Sequence, residues 1–238
     1  MEPKIIFEDA QLLVLDKPSG WIVNQAQTTK GQNVIQEWLG NLNFPLAKDN
    51  ERRSGIVHRL DKETSGILLI AKTPEAFENL QAQFKERGVE KTYTTLVHGK
   101  IEPKNGKIEV TVGRLPWRRD RFGVLAGGRE ALTSYQVIDY FTRDGEEYSL
   151  VEAKPKTGRT HQIRIHLKYL GHPVVADEFY AGRKTARRDR TWCPRLFLHA
   201  KTVEFFHLEK KEMVKFSSEL PGDLNSALAT LEKLRETN

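Results

Sequence analysis

The chain has 238 residues, with 38 Lys and Arg against 32 Asp and Glu, so its formal net charge at pH 7 is +6. Hydrophobic residues make up 38% of it and include 11 Phe, a composition that excludes global disorder. Its one cysteine, Cys193, excludes an intrachain disulfide, and no uncharged apolar run approaches the roughly 20 residues of a membrane span. We therefore expect a cytoplasmic globular protein that forms a single domain over residues 1–238.

Six segments have the β-branched and aromatic content that is typical of strands. They are residues 12–16, 67–72, 92–97, 107–112, 131–140 and 148–154. The segments at 92–97 and 107–112 follow each other closely and are predicted to be neighbouring strands. Helical segments interleave with these strands without a strict βαβ rhythm, which predicts an α+β protein and not a doubly wound parallel sheet.

The first predicted helix follows Thr73, whose hydroxyl is placed to cap it. Pro74 lies in its first turn and Gly88 beyond its end, the usual asymmetry of helix termini. Its apolar face consists of Phe77, Leu80 and Phe84.

A second helix is predicted after Thr160 and ends at Gly171, although its sequence also alternates as a strand would. Arg164 is expected on its polar side. Its apolar face consists of Ile163, Leu167 and Leu170. A third helix is predicted over residues 224–236, with Leu224, Leu228, Leu231 and Leu234 facing inward.

The positive charge is concentrated in two segments. Residues 114–129 hold five arginines and one aspartate, residues 183–195 hold six cations and one aspartate, and the rest of the chain has a net charge of −3. Both segments contain aromatic residues, among them Trp117 and Trp192, and guanidinium groups and aromatic rings are the groups that bind phosphates and bases. A nucleic-acid surface and a solvated charged loop are both consistent with this pattern. On the first interpretation, the contacts come from Arg118, Arg119, Arg121, Arg187 and Arg188.

The sequence lacks the motifs that hold nucleotides or metals. It contains no P-loop and no GxGxxG after a strand. His161 and His166 are five residues apart, one more than in a zincin helix, and Cys193 has no second thiol with which to share a metal. We therefore expect neither a cofactor nor a metal site.

The span at residues 55–67, GIVHRLDKETSGI, places Asp61 in a turn before the strand ILLIAK. Such an aspartate commonly only hydrogen-bonds its own turn, and a catalytic carboxylate is the alternative. A second block, KTGRTHQIRIHLKYLG at 156–171, contains Arg164, which on its own could be an ordinary surface cation.

These two blocks together, HRLDKETSG and GRTHQIRIHLKYLGHPVVADEFY, resemble the RluA family of RNA pseudouridine synthases. The resemblance extends in order over roughly residues 5–222. It implies the pseudouridine synthase fold, a mixed, mostly antiparallel sheet with helices packed on it and a catalytic cleft across the sheet. It also implies an isomerase that converts one uridine in ribosomal or transfer RNA to pseudouridine. The chain is expected to act as a monomer, on a stem-loop, without the accessory RNA-binding domain of larger relatives.

By the same resemblance, Asp61 is the catalytic carboxylate, Arg164 pairs with it and Tyr93 stacks on the uracil. Arg59 would fill the gap left by the extruded base, since an enzyme that acts on a base must take it out of its stack. Leu198 would pack under the base. His58 and Lys62, next to the motif, are expected to position the site or contact phosphate.

Two positions depart from the family pattern. Asn24 stands where many members have His, and Ala176 precedes Asp177 where Gly is usual. Neither is a proposed catalytic position, so we expect effects on packing or loop shape. Two rival functions stay open at this point: a nucleoside hydrolase or glycosylase, and an RNA-binding module without activity.

Overall fold

The computed structural model describes residues 1–116 and 118–234, without the side chains of residues 119 and 120. In chain order the strands are β1 Lys4–Glu8, β2 Leu12–Lys17, β3 Ser65–Ala71, β4 Glu90–His98, β5 Asn105–Leu115, β6 Arg118–Val124, β7 Arg129–Arg143, β8 Glu146–Pro155, β9 Leu198–His207, β10 Glu212–Ser217 and β11 Glu232–Lys233. The helices are α1 Ile35–Leu39, α2 Pro74–Lys85, α3 Gln162–Tyr169, α4 Arg183–Asp189 and α5 Gly222–Ala229. The predicted α+β class, a mostly antiparallel sheet with helices packed on it, is confirmed.

The chain forms two compact units, and the prediction of a single domain stays a prediction. Unit 1 consists of Met1–Glu90 and Ala200–Glu219, and unit 2 of Lys91–His199 and the chain from Leu220 onward. No helix in the described ranges combines the length and the apolarity that crossing a membrane requires.

Unit 1 is built on the antiparallel strands β1, β2 and β3, with β10 paired to β9. Every residue of β3 is buried, which its run of apolar side chains dictates. Helix α2 packs against β3 and begins as predicted, because the Thr73 hydroxyl accepts the N–H of Ala76 at 3.2 Å. Phe77 and Leu80 of the predicted apolar face are buried, and Phe84 packs beside them.

We expect Thr73→Ala to lower the free energy of unfolding by about 1 kcal/mol, since the N–H of Ala76 loses its capping acceptor. Urea unfolding measures this loss. Thr73→Ser keeps the hydroxyl and should keep most of the stability, so equal losses in the two variants would contradict the capping role.

Unit 2 contains a second antiparallel arrangement, in which β4 pairs with β8, β8 with β7, β7 with β5, and β5 with β6. The prediction that residues 92–97 and 107–112 are neighbouring strands is wrong. The β7–β8 hairpin lies between the two segments: β4 pairs with β8, and β5 pairs with β7. Strand β11 also pairs with β7, at Glu232↔Thr142.

Helix α3 confirms the helical interpretation of its segment but not its predicted start. It begins at Gln162, after His161 in a left-handed conformation (φ +56°) that provides no side-chain cap, so Thr160 is not the cap. The prediction that Arg164 lies on a polar side is also wrong, because this side chain is only 4% exposed. The helix contacts β5, β6, β7 and β8, and this leaves no solvated face along Gln162–Leu167.

The last predicted helix is shorter than expected. Helix α5 ends at Ala229, and the chain then turns into β11, so the helical prediction is wrong for residues 230–234. Residues 235 and 236 lie outside the described ranges. Leu224 and Leu231 are buried as predicted, and Leu228 and Leu234 pack against the same core.

Candidate active site

The Asp61 loop belongs to unit 1 and leads directly into β3. The Asp61 carbonyl accepts the N–H of Thr64 at 3.1 Å, which closes the predicted turn immediately before Ser65. His58 fixes the other side of the loop: its Nε2 accepts the N–H of Leu69 at 2.9 Å and its ring stacks on Phe84 at 4.9 Å. These contacts hold His58 against β3 and α2, and its predicted role at the site stays a prediction.

Two glycines of the motif are required by close backbone approaches. Gly55 has φ +79°, and a Cβ there would lie 1.9 Å from the carbonyl oxygen of Ala71. Gly66 has φ +109°, and a Cβ there would lie 2.3 Å from the carbonyl oxygen of Ala200. Only glycine fits both the backbone conformation and the space, so these two contacts set the position of the loop on β3.

Lys17, which the sequence analysis did not single out, holds the loop through a hydrogen bond to its backbone. It is 0% exposed, and its Nζ donates to the carbonyls of Pro18 at 3.0 Å, Trp21 at 2.9 Å and Lys62 at 3.2 Å. The N–H of Gly20 adds a bond of 2.8 Å to the Lys62 carbonyl. In the sequence, Lys17 stands at the end of an apolar strand, where a buried charge needs hydrogen-bond partners.

The other predicted residues of this loop face outward. Arg59 is exposed, which suits a side chain that contacts an external ligand. Lys62 donates from its exposed Nζ to Oε1 of Gln32 at 2.7 Å, while its carbonyl is held by Lys17. Asp61 itself is partly buried.

Tyr93, Leu198 and Arg164 belong to unit 2. Tyr93 lies on β4 opposite Ala153 of β8 and is partly buried against the core. Leu198 opens β9, is 3% exposed and is part of the same core cluster. Both positions are compatible with their predicted places beside and beneath a base.

The guanidinium of Arg164 forms a buried pair with Asp177. Its Nε donates to Oδ2 of Asp177 at 2.7 Å and its Nη2 to Oδ1 at 2.9 Å, a bidentate geometry that fixes the guanidinium plane. The rings of Phe179 and Tyr180 lie 5.5 and 5.1 Å from its Cζ. The sequence did not indicate that Asp177 is the partner of Arg164, because the two residues are 13 positions apart.

Tyr180 connects this pair to the first basic segment. Its hydroxyl donates to the carbonyl of Phe122 on β6 at 3.0 Å and lies 2.9 Å from Nδ1 of His161. Arg121 donates from Nη1 to the Phe179 carbonyl at 2.9 Å, so it is partly occupied in holding β6 against this turn. Arg118 is exposed, whereas Trp117 and the side chain of Arg119 lie outside the described part of the chain.

The second basic segment is partly neutralised within unit 2. Three of its cations contact carboxylates: Arg183 with Glu178, Arg188 with Glu146, and Arg195 with Asp223. Trp192 packs edge-on against Tyr148 at 5.4 Å, with Arg143 over its ring. Trp192 therefore packs within unit 2, and a contact of this segment with RNA stays a prediction. Arg187 is exposed, and Arg188 is exposed beside its ion pair.

Ala176, where glycine is usual in the family, has φ +61°, a conformation unfavourable for alanine. We expect Ala176→Gly to raise the free energy of unfolding by about 1 kcal/mol, since relief of the strained backbone should outweigh the loss of the buried methyl group. Urea unfolding of the variant beside the wild type tests this. A lower stability in the variant would show that the alanine methyl packs favourably enough to offset its strain.

His166 on α3 is fully buried, and neither ring nitrogen has a hydrogen-bond partner among the described residues. Burial lowers its pKa from 6.5 to about 4. As the pH falls, the unfolded chain protonates His166 before the folded chain does. The stability that comes from keeping His166 neutral is therefore complete above about pH 6.5 and is lost as the pH falls toward 4.

We expect His166 alone to lower the free energy of unfolding by about 2 kcal/mol as the pH falls from 7 to 5. His166→Met, which does not titrate, should lose that much less stability over the same interval. Urea unfolding at the two pH values measures the difference, and parallel losses in both proteins would contradict the assignment.

No group of three or more His, Cys, Asp or Glu side chains within residues 1–116 and 118–234 is arranged to hold a metal ion. Asp61 belongs to unit 1, and Tyr93, Arg164 and Asp177 belong to unit 2.

Comparison with known proteins shows the family of this chain. The profile of the RNA pseudouridylate synthases matches residues 11–169, which include Asp61, Tyr93 and Arg164. The chain is 37% identical to the ribosomal large subunit pseudouridine synthase D of Nitrosomonas europaea over 235 residues, 97% of this chain and 66% of that protein. It is 35% identical over 233 residues to YlyB of Bacillus subtilis, described as an uncharacterized RNA pseudouridine synthase, covering 98% of this chain and 74% of the relative.

A solved structure agrees. Human RNA pseudouridylate synthase domain containing 1 superposes with a TM-score of 0.76 at 27% identity, covering 98% of this chain and 89% of the human one. The chain therefore belongs to the RNA pseudouridine synthase family and has its fold. It spans about two thirds of the length of the relative from Nitrosomonas europaea.

Proposed function

We propose that this protein converts a uridine in RNA to pseudouridine, with Asp61 as the catalytic carboxylate. The observation that carries the proposal is the family match, which includes Asp61 in a loop fixed by Lys17, His58 and two obligatory glycines. Such a rigid loop suits a group that must meet one carbon atom of its substrate.

In this reaction the bond between ribose C1′ and uracil N1 breaks, the base turns, and C5 bonds to C1′. The C5 proton leaves and N1 takes up a proton, so nothing is consumed. An ionised carboxylate suits the sugar carbon, which becomes electron-poor as the base departs. Asp61 could attack that carbon, attack the base or remove a sugar proton. By resemblance, Arg164 supplies the cation that favours the ionised form of Asp61. By the same resemblance, the Tyr93 ring would stack on the uracil, and its hydroxyl could help to deprotonate C5.

Arg59 would insert into the gap that the extruded uridine leaves, and its exposed side chain supports this role. Unstacking a base costs a few kcal/mol, which a cation among phosphates offsets in part. The exposed arginines Arg118 and Arg187 would contact the RNA backbone, so affinity should fall as salt rises.

Ribosomal and transfer RNA are both proposed substrates. Relatives named as ribosomal large subunit pseudouridine synthases favour the ribosomal target. We further propose that the protein acts as a monomer, in the cytoplasm, on a stem-loop.

The test is the product formed from RNA labelled in its uridines. The purified protein should yield pseudouridine and no free uracil. Release of uracil would favour the rival glycosylase, whereas RNA binding without either product would favour an inactive binding module.

A further inference from the structure

The turn at residues 174–180 determines where the Arg164 guanidinium lies. Asp177 is 0% exposed, and besides Arg164 its Oδ1 accepts the N–H groups of Phe179 at 3.0 Å and Tyr180 at 3.2 Å. Because its carboxylate is tied to the backbone of its own turn, the Asp177 side chain cannot rotate to follow Arg164. Arg164 must therefore adopt the orientation that the turn imposes.

A second buried carboxylate, that of Asp189, binds the backbone of the same turn. Asp189, the last residue of α4, is 0% exposed, and its Oδ2 accepts the N–H of Ala176 at 2.8 Å. Ala176 is the residue at φ +61°, so this bond holds the backbone in a strained conformation directly before Asp177.

Nε2 of His98 lies 2.9 Å from the same oxygen of Asp189, and His98 is the last residue of β4. The turn is joined to β4 again where the N–H of Val175 donates to the Leu96 carbonyl at 2.9 Å. Since β4 also carries Tyr93, one network fixes the turn that orients Arg164 and the strand that presents Tyr93.

Burying carboxylates is costly, and replacing a buried ionic group by an apolar one of similar volume is often neutral or stabilising. A need for stability alone therefore does not explain two buried aspartates beside one strained turn. We propose that Asp189 is a positioning residue for Arg164: by holding the strained Ala176, it sets the orientation in which Asp177 presents the guanidinium to the reaction. This inference rests on the proposed function.

The test compares Asp189→Leu, which fills the space without an acceptor, with Asp189→Asn, which keeps one. Asp139→Ala is the matched control, because it removes an aspartate of the same unit that pairs with Lys233 at 2.6 Å. Single-turnover rates at saturating RNA, RNA dissociation constants and melting temperatures are measured for each protein.

Asp189→Leu should reduce the single-turnover rate by about 10- to 100-fold, since a misplacement of about 1 Å has effects of this size. Its RNA dissociation constant should stay within about twofold of the wild type, and Asp189→Asn should recover most of the rate. A purely structural role would change the melting temperature and not this rate in the folded protein.

An Asp189→Leu rate equal to that of Asp139→Ala would overturn the inference, as would a loss confined to RNA affinity. If Asp189→Leu does not fold, Asp189→Ala is judged by the same two criteria. Failure of the wild type to form pseudouridine would refute the proposed function instead, so the two failures are distinguishable.

Discussion

Asp61→Asn is expected to reduce pseudouridine formation by about a thousandfold or more, as loss of a central catalytic group commonly does. The amide has nearly the same shape as the carboxylate but carries no charge. It can neither attack carbon nor accept a proton, so each mechanism open to Asp61 is blocked. The measurement is a single-turnover assay of pseudouridine in a transcript that the wild type modifies.

The fold should survive this change. It is the Asp61 carbonyl, not the carboxylate, that accepts the N–H of Thr64 and closes the turn. RNA affinity and melting temperature should therefore stay close to the wild type. Glu63→Gln, two residues along, provides a matched control and should keep its activity. Substantial pseudouridine formation by Asp61→Asn would refute the assignment of Asp61.

The second large effect is expected on stability. Lys17→Met should lower the free energy of unfolding by about 3 kcal/mol or more, because three carbonyls lose a charged donor in a buried site. Since one of those carbonyls belongs to Lys62, the loop that carries Asp61 should also loosen, and pseudouridine formation should fall.

Chemical denaturation at pH 7 measures this effect. Lys4→Met, on the exposed end of β1, is the control and should change stability by no more than about 0.5 kcal/mol. A Lys17→Met protein as stable as the control would show that the three hydrogen bonds contribute little.

Local signals in the sequence predicted local structure well. Thr73, Pro74 and the spacing of Phe77 and Leu80 define α2 because capping and periodicity act within one or two turns of chain. The turn at Asp61 and the buried strand after it were predictable for the same reason.

Features that depend on distant partners were not predictable in this way. Arg164 occupies a polar position of the α3 pattern, yet it is buried because Asp177 neutralises it. Likewise, β5 pairs with β7 and not with β4, since the choice of partner depends on ladders that form across the whole unit. The role of Lys17 could not be predicted because its partners are backbone carbonyls, which every residue possesses.

The net charge of +6 has also gained a more precise meaning. In the second basic segment, Arg183, Arg188 and Arg195 are paired with carboxylates, so a charge count overstates what it can offer to RNA. Cations outside the two basic segments are also exposed, among them Arg59 on the loop that carries Asp61.

The most direct test of the central claim is to map pseudouridines in total RNA from cells without this gene, complemented with the wild type or with Asp61→Asn. We predict that at least one pseudouridine is missing without the gene, returns with the wild type and stays missing with the variant. An unchanged set of pseudouridines in all three strains, or restoration by Asp61→Asn, would contradict the account.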